Sequence, residues 1–361
     1  MSKQGCALLI VVLATASVAW GQPAISDHDG TIARGGELTL QGTGFGTKAT
    51  PSPYKFDDFE NGTVGQDLNG WNFSTSDGIN PEYSDEYVRP ASNRSAVCIY
   101  ENGQYLSSFG TYRSEGLASV YMDFWVLFAD EARLSRNHKL YRLYSGTTQG
   151  RPNQYLQLQC DDATPVARFT NDYVDGTYSE VHHHTDWHPT EALNNWVHLQ
   201  FYLNQSDAGE ANGILQAWFD CGDRVDRTDY KTRDTSYTDD WHSLWFGNYM
   251  GNEADSHCPA IDNAHVYFDD VYIDITRARV EIGDNADYES CTHREIQIPV
   301  SWGSSEITVA ANPGSFANGS EAYVFVIDQD GRVSNGHGPI EVRGDVDPQS
   351  PGKPTKPWLV N

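Results

Sequence analysis

Basic residues are scarce: 24 Lys plus Arg stand against 50 Asp plus Glu, a formal charge of −26 over 361 residues. That field repels phosphate backbones and anionic bilayers at long range, which argues against nucleic acid as a partner. Only three Met are present, no Cys-x-x-Cys occurs, and no long apolar run follows the first twenty residues. Zinc-ribbon and dithiol redox chemistry lack their ligands, and insertion into a membrane lacks a span. What is abundant is Tyr (20), Trp (10) and Gly (32). These suit sheets joined by tight turns, and 39% hydrophobic residues over this length allow about two domains with real cores.

The N-terminus explains its own apolar run. Lys3 precedes Ala7 to Leu13, and Ala19-Trp20-Gly21 supplies small residues at the positions a signal peptidase reads, so residues 1–21 are expected to be a secretory leader and the mature chain extracellular. Loss of Cys6 with that leader leaves Cys98, Cys160, Cys221, Cys258 and Cys291. An odd set in an oxidising compartment predicts disulfides with at least one thiol left over, and the pairing stays open. Sequons at Asn61, Asn72, Asn93, Asn204 and Asn318 mark expected surface positions. Residues 344–361, with Pro348, Pro351, Pro354 and Pro357, read as a flexible tail.

Two textures share the rest of the chain. Gly35-Gly36-Glu37-Leu38-Thr39-Leu40-Gln41-Gly42-Thr43-Gly44-Phe45-Gly46 reads as a strand between glycine turns, and further strands return only at Ile296-Gln297-Ile298, Ile307-Thr308-Val309, Ala322 to Val326 and Ile340-Glu341-Val342. With Trp302, Asp330-Gly331 and Ser334-Asn335, these pieces resemble the IPT/TIG immunoglobulin-like module, split into residues 22–50 and 283–343. The resemblance implies a spacer or interaction platform. Between the pieces, residues 54–282 carry many short strands. They open with Phe56-Asp57-Asp58-Phe59 and close with Phe268-Asp269-Asp270-Val271, and their order resembles the concanavalin/laminin-G-like jelly roll of lectins, glycosidases and polysaccharide lyases. The expected fold is therefore all-β, an Ig-like sandwich interrupted by a larger concanavalin-like one.

Strand alternation picks out candidate ligand-binding residues. Val197, Leu199, Phe201 and Leu203 share one face of a strand and His198, Gln200 and Tyr202 the other; Leu215, Ala217 and Phe219 oppose Gln216 and Trp218; Leu156 and Leu158 oppose Tyr155, Gln157 and Gln159. Aromatic rings can cover the apolar face of a pyranose while amides and imidazoles bond its hydroxyls. Tyr155, Gln157, Gln159, His198, Gln200, Tyr202, Gln216 and Trp218 are accordingly the expected sugar-binding set. An ordinary solvated sheet face would show the same period.

Catalytic patterns are sparser. No Glu-x-Asp-x-x-Glu occurs, so the paired carboxylates that a retaining glycosidase of this sandwich class would place on one strand are absent. A lyase needs a group to neutralise a uronate carboxylate and a base for the C5 proton, for which Arg142, Lys139, His198, Tyr202 and Gln157 are the right types. Tyr112-Arg113-Ser114-Glu115 faintly resembles the Arg-Ser-Glu strand of alginate lyases, yet Gly116-Leu117 stands where that family has its second Arg. No metal ligands are assigned: His182-His183-His184 with Asp186 and His188 fits a polar loop, and Asp328-Gln329-Asp330-Gly331 a hairpin turn. No cofactor is expected beyond structural calcium shared by Asp57-Asp58 and Asp269-Asp270, which also read as solvated carboxylates. The leading expectation is a secreted, noncatalytic carbohydrate-binding or cell-surface interaction protein whose partners are a polysaccharide or other surface proteins. The alternatives are a polysaccharide lyase acting on uronic-acid polymers and a structural surface or filament subunit.

Overall fold

The computed structural model describes residues 21–101, 104–129, 137–145, 153–161, 164–172, 181–222, 224–235, 238–251 and 263–344. Residues 1–20 of the expected leader, 345–361 of the expected tail, and Cys258 lie outside them. Among the described residues the chain is all-β, and no helix is long and apolar enough to cross a membrane.

The larger unit is a two-sheet sandwich of jelly-roll type. Its front sheet runs, edge to edge, Val181–His184 (β12), Thr164–Asp172 (β11), Asn153–Asp161 (β10), His138–Ser145 (β9), Trp241–Phe246 (β16), Ser107–Leu117 (β7) and Asn72–Thr75 (β4). The back sheet runs Arg224–Tyr230 (β15), Gly213–Phe219 (β14), Val197–Asn204 (β13), Ser119–Phe128 (β8), Asn263–Asp274 (β17), Ser95–Glu101 (β6) and Glu82–Ser84 (β5), with Lys55–Asp57 (β3) also paired to β17. Period-2 patterning explains why these segments extend and which way they face. Leu199, Phe201, Leu215, Ala217 and Phe219 from the back sheet meet Leu140, Leu143, Leu156, Leu158 and Leu244 from the front in one buried core. Phe124, Phe201, Phe246 and Phe268 meet in the middle with ring centroids 5.1 to 6.1 Å apart.

The smaller unit takes strands from both ends of the chain, in the order Ala24–Gly30 (β1), Glu37–Thr43 (β2), Glu306–Ala310 (β20), Arg294–Trp302 (β19), Arg279–Gly283 (β18), Glu321–Ile327 (β21) and His337–Glu341 (β22). Long β19 pairs β18 through its first half and β20 through its second, so it turns the corner between two half-sheets whose apolar faces meet at Leu38, Leu40, Val280, Ile282, Val309 and Val324. β18 corrects the boundary expected at residue 282. Its five residues are all buried and pair with β19 and β21, so the crossover from the larger sandwich falls just after β17.

The two units meet across a seam of buried charge. The outward face of the back sheet presents Tyr121, Asp123, Gln200, Tyr202 and Tyr272, and the small sandwich lays Arg279, Glu281, Arg294, Glu295 and Ile296 over it. Glu281 pairs with Arg279 and, at 3.2 Å, with Arg294, and accepts hydrogen bonds from Gln200 at 3.0 Å and Tyr288 at 3.0 Å. Arg89 bridges Asp270 and Glu295, and Lys48 meets Asp274 at 2.5 Å. Burial alone would raise both glutamates; Arg279 and Arg294 outweigh it at Glu281, and Arg89 with His293 at Glu295, leaving each carboxyl at about 2.

The sign of the pH effect follows. A carboxyl held below its unfolded value of 4.5 contributes stability above that value, which is lost as pH falls towards 2. Asp270 works the other way, since burial raises it to about 6 against the pull of Arg89. Melting temperature is therefore expected to drop between pH 5 and 2. Glu281→Gln should lower it at pH 7, by leaving two arginines without their carboxylate, and should make the acid limb shallower; differential scanning calorimetry across that range checks both.

Candidate functional site

With the back sheet covered by the small sandwich, the face left to the larger one is the outward face of the front sheet, where Lys139, Arg142 and Arg168 are half-buried and Tyr144, Tyr155, Gln157 and Trp245 are exposed only at 4–8%. Pairing register sets its side chains in rows across the strands. Thr170, Tyr155, Arg142, Trp245, Gly110 and Asn72 are successive partners on β11, β10, β9, β16, β7 and β4. Beside them run Arg168–Gln157–Lys139 and Asn153–Tyr144–Ser243–Tyr112. Lys139 and Arg142 are three residues apart, an odd spacing that should put them on opposite faces. A register shift in β9 opposite Leu156 and Gln157 absorbs one residue, so Leu140 and Tyr141 both enter the core and both cations stay on the open side.

Contacts on this face are specific. The Lys139 ammonium lies 5.0 Å from the centroid of the Tyr155 ring and 4.6 Å from that of Tyr249. The Arg142 guanidinium lies 4.7 Å from the Tyr144 ring and 5.4 Å from that of Tyr155, while its Nε donates to Asn153 Oδ1 at 2.8 Å. Gln157 donates to Asn137 Oδ1 at 3.1 Å and accepts from Arg168 Nε at 3.2 Å, which fixes the third cation of the patch. Trp245 donates to Ser243 Oγ at 3.1 Å and packs against Gly110, where an added Cβ would come within 2.6 Å of the indole. At one end, exposed Tyr112 stacks on His242, whose Nδ1 donates to the Arg113 carbonyl at 2.8 Å. Three cations and at least three aromatic rings thus converge on one face of a chain with 26 more acidic than basic residues.

The expected sugar-binding set divides between the two sheets. Tyr155 and Gln157 belong to this face; Gln159 is in β10, with its side chain outside the described residues. His198, Gln200 and Tyr202 do point away from the core, but they are only 2%, 1% and 7% exposed because the small sandwich covers them. Gln200 is tied to Asp123, Glu281 and Arg294, so it cannot greet a sugar. His198 Nε2 meets Asp123 at 2.7 Å and its ring stacks on Trp125; burial lowers its pKa, the Asp123 carboxylate outweighs that, and the imidazole ends at about 10. His198 and Tyr202 are therefore corrected as lyase groups too. Gln216 and Trp218 sit half-buried at the rim of the junction, Gln216 accepting from Arg277 at 3.0 Å.

The other motifs resolve as follows. β12 pairs Arg168 with His184 and Thr170 with His182, but the side chains of residues 181–184 lie outside the described residues. Asp328 caps its turn by accepting from the backbone of Asp330 and Arg332, both at 2.9 Å. Asp57 accepts from Trp71, Asp58 faces Arg34, Asp270 faces Arg89 and Asp269 accepts from the Asp270 backbone N–H at 2.9 Å; Asp269 and Asp270 are buried, which corrects their reading as solvated carboxylates. Among the described residues no group of three or more His, Cys, Asp or Glu could hold a metal ion. Cys98, Cys221 and Cys291 are free thiols, which corrects the expectation of disulfides at those three. Tyr144, Trp245, Arg168, Asn137 and Tyr249 are the residues that sequence reasoning missed.

No protein-family model matches the chain, nor does any curated protein sequence. Solved structures similar in fold include alginate lyase Aly36B in complex with an alginate trisaccharide (14% identity, TM-score 0.48, 63% of this chain and 99% of that one). Others are the endo-β-1,4-glucuronan lyase of the fungus Trichoderma reesei (11%, TM-score 0.46, 62% and 95%) and the cellulose-induced protein Cip1 (19%, TM-score 0.39, 62% and 97%). At these identities the likeness is one of fold. The noncatalytic sugar-binding reading is corrected at its site: five of the eight residues chosen for it, His198, Gln200, Tyr202, Gln216 and Trp218, sit at the seam or on its rim.

Gly110→Ala tests the floor of the open face. The new methyl would meet the Leu244 carbonyl oxygen at 2.4 Å and the Trp245 ring, so the indole must move. A loss of about 1–3 kcal/mol in denaturant unfolding, with a shifted tryptophan emission maximum in the folded state, is expected.

Proposed function

We propose that the protein is a secreted polysaccharide lyase that cleaves a uronic-acid polymer by β-elimination on the open face of its larger sandwich. The observation that carries this reading is the convergence of Lys139, Arg142 and Arg168 with Tyr144, Tyr155 and Trp245 in an otherwise strongly acidic chain. A polyanion approaching such a chain needs one basic strip, and this face supplies it.

Each side chain has work in that reaction. Arg142 and Arg168 receive uronate carboxylates, and neutralising the carboxylate at C5 makes its neighbouring C–H acidic. Gln157 and Asn153 hold the two guanidinium groups in place. Tyr155, whose ring the Lys139 ammonium faces at 5.0 Å, is the group of the right type to accept the C5 proton, as its phenolate. The electron pair released at C5 forms the C4=C5 double bond as the C4–O bond breaks, and the leaving oxygen takes up the proton that the Tyr155 hydroxyl received from C5, which restores the phenolate. The Trp245 ring offers an apolar surface to a sugar face. The small sandwich is in this reading an IPT/TIG-like module that closes the back sheet.

Incubation with a panel of uronic-acid polysaccharides, followed by ultraviolet absorbance of the unsaturated product, tests the proposal. Arg142→Ala should lower kcat/KM by about 10²–10³-fold, while Trp218→Ala, on the opposite sheet, should leave it unchanged. Absence of product from every polymer, or equal loss in both variants, would overturn it.

A further inference from the structure

At the far edge of the small sandwich, two histidines face each other with no role in the chemistry above. His28 lies on β1 and His337 opens β22, the first and last strands in that unit's order. Their Nδ1 and Nε2 atoms are 2.9 Å apart, with ring planes at 74° and centroids 5.1 Å apart. Both side chains are half-buried, so neither is held as a core residue. Asp27 lies beside them, its Oδ1 accepting the His28 backbone N–H at 2.9 Å, and adds negative charge at the pair.

We infer that His28 and His337 form a two-imidazole site for a divalent copper ion that staples β1 to β22. Two nitrogens each about 2.0 Å from a metal are about 2.8 Å apart at adjacent corners of a square plane and about 3.3 Å apart in a tetrahedron. The observed 2.9 Å is a hydrogen-bond separation close to the square-plane value and does not itself choose the metal; copper(II) is named because it heads the divalent series in affinity for nitrogen ligands and accepts two imidazoles in a tetragonal site. Water completes the remaining positions. A small rotation of each ring turns the two lone pairs from each other towards a shared ion. As things stand, one imidazole N–H donates to the other ring in a partly exposed hydrogen bond, an interaction that contributes little to stability. An ion there would join strands from the two ends of the chain and stabilise the folded form in proportion to its occupancy.

Copper(II) titration of the full chain is the test, read by electron paramagnetic resonance and by thermal melting. A tetragonal signal with nitrogen hyperfine structure should saturate, and the melting temperature should rise. His28→Asn and His337→Asn should each weaken that binding by at least about tenfold and cancel the rise, whereas His182→Asn with His184→Asn should leave both in place. Each single change is at a half-buried edge position, and circular dichroism of the metal-free variants verifies their fold. Unchanged copper binding in His28→Asn and His337→Asn, its loss in the His182 and His184 variant instead, or a larger melting shift with zinc than with copper would overturn the site. None of these readouts depends on lyase activity.

Discussion

Glu281 holds the architecture together. It comes from β18, the first strand after the crossover, is completely buried, and is gripped by Arg279 and Arg294 of its own unit while accepting from Gln200 of the other. A carboxylate in that position is costly to desolvate and costlier to leave unpaired, so the two sandwiches are bound to one relative placement. A purely apolar seam would tolerate sliding, whereas each charged pair here has one register. Covering the back sheet leaves the outward face of the front sheet as the sheet face of the larger sandwich that the small one does not occupy.

Much of this was legible in residue order. Alternation along Val197–Asn204 and Gly213–Phe219 separates core from outward residues correctly, because period 2 is a property of each strand on its own. What alternation cannot show is which outward face is then covered, since the covering residues Arg279, Glu281, Arg294 and Glu295 arrive some eighty residues later. A signal was nonetheless present. A run such as Arg279-Val280-Glu281-Ile282 places charges between core residues of a strand, and charges that alternate with core positions there have either water or a partner to face. The buried partners in β13 were the polar residues that looked like sugar ligands.

The open face shows the opposite failure. Lys139 and Arg142 were recognisable as chemistry-bearing types, but an uninterrupted strand would have split them between the two sides. The shift in β9 is a cooperative product of pairing with β10, and nothing in His138 to Tyr144 announces it. Trp245 and Tyr144 escaped notice for a simpler reason. Their neighbours Leu244, Phe246 and Leu143 make the strands look apolar throughout, so an outward aromatic residue is hard to tell from a core one.

The split of the small sandwich also orders the birth of the molecule. β2 and β20 are partners, yet the whole larger sandwich is synthesised between them. Closing a disordered loop of roughly 230 residues would carry a sizeable entropic penalty, but a folded insertion whose ends emerge side by side has already removed most of it. The early strands β1 and β2 must therefore wait, with one apolar face uncovered, until the central unit has folded and the last strands have been made. Completion of the small sandwich thereby certifies the large one: a chain whose larger sandwich has misfolded cannot bring its two ends together, and exposes them to whatever proteases or chaperones patrol its compartment.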